Sequence, residues 1–265
     1  MSISLARRGA SAKRRIQQGG GGFYANAINN PSAAGYPDAT NTGVTPGTTL
    51  TTVANINVTT NGTVIENRSV TNQIVIRAND VTIRNCRIVS GDYYPIDYEG
   101  TGLVVEDCEI IGTSATVTAG LSTSNYTARR CRVEGGKDGF KAESNVLIED
   151  CYVTNLNVSQ DSHNDGVQTT GGSNVIIRHN TFKLGDNAGV SAVLQFGTEN
   201  GPFSNWLVEE NLLDGGGWTI NSQTGNSSMQ FLNNRFTRRS GYGPGHMTNS
   251  IWTGNYFDDD GSVAA

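Results

Sequence analysis

The sequence predicts an all-β fold wound as a solenoid, a single right-handed parallel β-helix of roughly eight to nine coils with an N-terminal extension. Three observations carry that expectation. The 265 residues include 33 glycines against 6 prolines, and only 16% of the side chains are charged. Such a chain is poor in helix formers and suits short strands joined by turns. Eight segments share one register: VTIRNC (81–86), LVVEDC (103–108), YTARRC (126–131) and VLIEDC (146–151) close on Cys, and VIIRHN (175–180), WLVEEN (206–211), MQFLNN (229–234) and SIWTGN (250–255) close on Asn. The steps from Cys86 to Asn255 are 22, 23, 20, 29, 31, 23 and 21 residues, a repeat length that marks stacked coils.

Residues 1–22 hold Arg7, Arg8, Lys13, Arg14 and Arg15 and no acid, so they carry +5 while the remaining chain carries −10 of the total −5. They read as a basic, flexible docking segment. The acidic body argues against specific nucleic-acid binding. Residues 23–50 are expected as a lead-in and cap over the first coil, because open coil ends invite edge pairing. No apolar run is long enough to span a membrane, and the N-terminal stretch has no apolar core of a secretory signal, so general export is not expected.

Residues 51–257 form the solenoid. A second short strand precedes each unit: PIDYE (95–99), AGLST (119–123), DGFKA (138–142), DGVQT (165–169), AVLQF (192–196) and WTINS (218–222). Alternation within the segments turns one set of side chains inward as aliphatic ladders. The Cys positions then form an interior stack that gives way to an Asn stack, whose members hydrogen-bond to neighbours above and below or to turn backbone. Cys86, Cys108, Cys131 and Cys151 have no CxxC spacing and behave as small buried hydrophobes, with no metal and no cofactor implied. Distance alone admits a disulfide between adjacent coils. Residues 258–265 read as an acidic C-terminal tail, DDD (258–260) as a frayed end rather than a cation site.

The coil segments resemble the pectin-lyase-like superfamily over roughly residues 51–257, and GYPDATNTGVTPGTTL (35–50) is similar to the lead-in before β-helix domains of actinobacterial proteins and of phages that infect actinobacteria. The resemblance to β-helix minor tail and tail-spike proteins implies a virion structural protein, folded in the host cytoplasm and extracellular once released. It would dock on other virion proteins through residues 1–50 and contact cell-surface polysaccharide. Similar phage β-helices are often homotrimers, although no heptad segment imposes one here.

The densest polar stretch is DSHNDGVQ (161–168). Stacking it on KDGFKA (137–142) makes Asp165 equivalent to Asp138 and Gln168 to Lys141. Asp-Gly before a strand is ordinary turn chemistry, in which Asp caps its own backbone and Gly accepts unusual dihedrals. The loops 154–164 and 197–205 belong to the longest steps and are expected to wall off one face. Beside them an outward row of Asp97, Ser122, Lys141, Gln168 and Gln195, with Tyr93, Tyr94 and Tyr98 near its start, suits sugar rings. A catalytic reading uses Asp138 with Asp165, or Asp161 with Asp165, as the carboxylate pair of a glycosidase, or Lys141 or His163 as the base of a polysaccharide lyase. The polygalacturonase-like motif set is absent, GPGHM (243–247) being a partial echo, and Lys141 has no Arg partner in the row. Structural and adhesive function is therefore expected ahead of catalysis. His179 and His246, isolated, read as structural or solvated.

Overall fold

The computed structural model describes residues 25–157, 163–185, 189–222, 227–245, 247 and 249–264. Arg7, Arg8, Lys13, Arg14, Arg15, Asp161 and His246 lie outside them. Three parallel sheets run along one axis, with eleven, nine and five strands among the described residues. One coil illustrates the path: Asp138–Lys141 belongs to the third sheet, Val146–Glu149 to the second and Tyr152–Thr154 to the first. The chain then returns to the third sheet at Asn164–Thr169, one rung further along. Nine strands in the second sheet give nine rungs. Eight are the segments that share the register; the ninth, Val64–Glu66, is followed by Asn67 and Arg68 where the others have Cys or Asn.

A single residue bends each coil from the second sheet into the first. Asn85, Asp107, Arg130, Asp150, His179, Glu210 and Asn233 all have φ between 49° and 57°. A left-handed residue strained in isolation is held there by its rung neighbours, for example by the hydrogen bond from Asp107 N–H to the Arg129 carbonyl.

The next residue turns inward and builds the predicted stack. Asn180, Asn211, Asn234 and Asn255 are buried, and each carboxamide NH₂ donates to the oxygen of the next Asn at 3.0 Å along the three steps of the row. Each also donates to a main-chain carbonyl at 2.9 Å, Asn211 to Ile177 among them. The thiols do a weaker version of the same work: Cys151 Sγ accepts the Cys131 N–H at 3.4 Å, and Cys151 N–H passes the ladder on to Asn180 Oδ1 at 2.8 Å. All four cysteines are free and buried. Burial pushes the thiols of Cys108 and Cys151 well above the usual range, so neither is a nucleophile in the folded state. A thiol reagent is therefore expected to modify Cys108 and Cys151 only after urea unfolds the chain; immediate modification of either in native buffer would contradict the interior stack.

Outward, the first seven strands of the second sheet each end on a charge, and its sign alternates from rung to rung. Glu66, Arg84, Glu106, Arg129, Glu149 and Arg178 lie opposite one another in register, with Glu209 next. In-register parallel stacking brings side chains on successive rungs about 5 Å apart, where like charges repel. Alternation converts that repulsion into pairs such as Arg84 with Glu66 at 3.0 Å and Arg129 with Glu149 at 2.9 Å.

Residues 25–50, expected as a lead-in and cap over the first coil, run instead along the flank of the solenoid from its last coil to its first. Asn26 N–H bonds the Asp258 carbonyl, Tyr36 stacks on His179, Gly43 N–H bonds the Arg130 carbonyl and Thr45 N–H bonds Asn85 Oδ1. His179 is thus a fastening: Nδ1 meets Asp150 and Nε2 meets the Gly35 carbonyl at 3.0 Å. The acidic C-terminus is not frayed. Asp258 is buried and accepts Ile28 N–H, Asp259 and Asp260 pair with Arg238, and Trp252 donates to the Ala264 carbonyl at 2.7 Å, folding the tail over the last coil. The tail was legible as acidic, but its arginine partners sit a full coil earlier.

Candidate functional site

The third sheet carries the candidate site. Its strands place Lys141 opposite Gln168, Gln168 opposite Gln195, and Gln195 opposite Asn221, which makes one outward row of polar ends. Lys141 Nζ bonds Gln168 Oε1, and Asn221 Nδ2 donates to Gln195 Oε1 at 2.9 Å. A second row at the strand starts runs Asp165, Ala192, Trp218, then Gly243 through a single parallel bridge, with Asp138 one rung before Asp165. Of the two long loops, 154–164 falls partly outside the described residues and precedes the strand Asn164–Thr169, and 197–202 follows Val190–Phe196.

Asp138 and Asp165 occupy equivalent places, and their geometry is that of backbone staples. Asp138 Oδ1 accepts the Asp165 N–H at 3.0 Å; Asp165 Oδ1 accepts the Ala192 N–H at 2.9 Å and the Ser191 hydroxyl at 2.7 Å. Each carboxylate thus satisfies a main-chain donor of the next rung. The Asp-Gly pairs are not turn chemistry, since neither Gly139 nor Gly166 has a positive φ. Glycine is required by close approach: a Cβ at Gly166 would lie 2.6 Å from the Val193 carbonyl oxygen and 2.8 Å from the Phe182 ring.

Burial sets the electrostatics. Asp138 is 3% exposed and Asp165 1%. Burial pushes Asp138 above the usual carboxylate range, opposed by Lys141 with Nζ 3.1 Å from Oδ2. Asp165 is pushed up to about 7, by burial first and then by the charge of Asp138, and its Oδ2 has no hydrogen-bond partner. Two neighbouring carboxyls, both raised above the usual range, suit acid–base chemistry, yet both lie under the surface.

The other expected residues divide. Lys141, Gln168 and Gln195 sit together on the outward face. Asp97 is not in their row: its strand, Ile96–Tyr98, pairs with Arg68–Ile76 in the first sheet, and its carboxylate is committed to Arg77 at 2.7 Å. Tyr98 is not a ligand-binding residue of the outward face, because the period of two that turns Asp97 out turns Tyr98 in. It is buried, with its hydroxyl accepting the Leu103 N–H at 3.3 Å. Ser122 is buried too, hydrogen-bonded to the Tyr94 hydroxyl, and so does not belong to the outward row. His163 is exposed and makes no hydrogen bond to Asp138, Lys141 or Asp165.

The far end of the face carries exposed aromatic residues that no charge marks in the sequence. Trp218 is 40% exposed and Tyr242 74%, with ring centroids 5.6 Å apart on adjacent rungs. At the other end Tyr93, 61% exposed, packs edge-on against Tyr94 at 4.7 Å. Aligning WTINS under DGVQT would have put Trp218 in the Asp165 row and Asn221 in the Gln168 row. Among the described residues no cluster of His, Cys, Asp and Glu could hold a metal ion, and no helix is long and apolar enough to cross a membrane.

No curated protein matches this chain. A solved structure of trypsin-treated QnrB1, a plasmid-mediated fluoroquinolone resistance protein, aligns at 12% identity over 78% of this chain and 92% of that one, with a TM-score of 0.18, too low to bear on fold or function. The family model for the right-handed β-helix region matches residues 47–195 and 123–264. With three parallel sheets wound about one axis, the chain belongs to the right-handed β-helix family.

Proposed function

We propose that this chain is a structural and adhesive β-helix of a phage tail, docked through its N-terminal segment and presenting its third sheet to host surface glycans. The observation that carries the adhesive part is the outward row of Lys141, Gln168, Gln195 and Asn221 with the exposed Tyr93 beyond one end and the exposed Trp218 and Tyr242 beyond the other. Amides in register bond sugar hydroxyls, and aromatic rings pack on sugar faces. The engagement of both carboxylates with rung backbone favours binding over turnover. The rigid solenoid and the lead-in at 35–50 support the virion role.

A second reading, a polysaccharide lyase or glycosidase, draws on one observation, the carboxyl of Asp165 held near pH 7 beside Asp138. One experiment separates the two. The purified chain is incubated with host surface glycans while binding, reducing ends and ultraviolet absorbance of unsaturated products are followed. Binding without product is the expected result; product that disappears in Asp165→Asn overturns it in favour of the enzyme. For the virion role, the chain is expected in purified particles and to be lost from them when residues 1–22 are deleted, with the β-rich circular dichroism spectrum unchanged.

A further inference from the structure

The charge and length of the third-sheet face say what kind of glycan it takes. A polysaccharide of uronic acids brings a carboxylate on each acidic sugar, and a site for it needs cations free to meet them. The face offers little of that. Its central cation, Lys141, is already bound by the Asp138 carboxylate at 3.1 Å and by Gln168. Lys137 adds a second positive charge beside Asp138, which faces both lysines, while Asp165 faces Lys141; Glu143 is an anion that accepts from Thr170 on the next rung at 2.6 Å. The remaining polar ends, Gln168, Gln195 and Asn221, are amides, which donate and accept without charge.

The direction follows from the rungs. Tyr93 stands one rung before Thr118, whose N–H bonds its carbonyl at 2.9 Å. The third sheet then continues through Ala119, Asp138, Asp165, Ala192 and Trp218. Five steps at about 4.8 Å separate the two aromatic pairs by roughly 24 Å, the reach of a short oligosaccharide laid along the axis and longer than any one strand is wide.

We infer that the ligand of this face is an uncharged glycan chain lying along the helix axis, with its ends on the Tyr93–Tyr94 and Trp218–Tyr242 pairs. The inference rests on the glycan-contact reading and narrows it. Neutral sugars lose no ionic hydration on entering an amide row, whereas a uronate would leave its carboxylate against uncharged amides and a lysine already paired with Asp138.

The test titrates the full chain with neutral oligosaccharides and with oligouronides of matched length, following binding by calorimetry at low and moderate salt. The neutral ligand is expected to bind at least about tenfold more tightly, with little dependence on salt, because no counterion is released. Trp218→Ala, an exposed position that leaves the interior untouched, is expected to weaken it by about tenfold, and Gln195→Lys to raise the affinity for the oligouronide. Preferential binding of the oligouronide by the wild-type chain overturns the inference and leaves the adhesive reading in place. Failure of both ligand classes to bind overturns the adhesive reading, and the inference with it.

Discussion

Asn211→Ala is expected to destabilise the solenoid by about 3–5 kcal/mol, read as a fall in the urea midpoint. The side chain is fully buried and makes four hydrogen bonds: Oδ1 accepts the Asn180 N–H at 2.9 Å and the Asn180 carboxamide at 3.0 Å, and Nδ2 donates to the Ile177 carbonyl at 2.9 Å and to Asn234 Oδ1 at 3.0 Å. Truncation strands the Asn180 N–H and the Ile177 carbonyl in a site that excludes water, and each stranded group costs about 1–3 kcal/mol. A packing defect alone predicts that any small residue is equally bad. The ladder predicts otherwise, because Cys151 Sγ accepts the Cys131 N–H in the same register. Asn211→Cys is therefore expected to recover about half of the loss. Equal melting of the Ala and Cys variants would show that the hydrogen bonds are not what holds this position.

The coils were legible because they repeat. Eight segments aligned on Cys or Asn, and the alignment picked out the strands of the second sheet, the inward row and the ladder that runs through it. The roughly eight to nine coils expected include a ninth rung outside the eight aligned segments, because Arg68 stands where the others carry Cys or Asn. The left-handed turn was missed for a different reason: Arg130 and Glu210 adopt it beside Asn85 and Asp107, so tertiary contacts fix a conformation that residue type does not announce. The strap at 25–50 and the C-terminal cover occur once each, and their contacts span the length of the chain, Ile28 with Asp258 among them. No local pattern encodes such a pairing.

The candidate site divided along the same line. Register predicted that Asp138 and Asp165 are equivalent, and their stapling of successive rungs follows from it. Register alone did not say which side of a strand start is open. Both carboxyls proved to be buried, and the exposed chemistry passed to Trp218 and Tyr242, which carry no charge and so drew no notice. The row beginning at Asp97 failed because the third sheet starts a coil later, at Ala119–Leu121.

Asp165→Asn is expected to stabilise the protein at pH 8 by about 2–4 kcal/mol relative to its effect at pH 4. The sign follows from where the proton is held. The carboxyl is pushed from 3.8 to about 7 by burial and by the charge of Asp138. Below about pH 4 it is protonated in both the folded and unfolded chain, and it places no pH-dependent cost on folding. As pH rises from about 4 to 7 the unfolded carboxyl ionises while the folded one keeps its proton, so stability falls across that window. Above about 7 both are ionised and the cost levels off. An amide keeps the acceptor that Asp165 Oδ1 offers to Ala192 and Ser191 and has no charge to bury, so the variant lacks this slope. Urea midpoints of wild type and variant should therefore diverge between pH 4 and 7 and run parallel above it. Parallel curves throughout would mean that Asp165 titrates near its unfolded value, and that the rung backbone and Lys141 hold it as an anion. The acid–base reading of the pair would then lose its only support, and the buried carboxylates would remain staples of the third sheet.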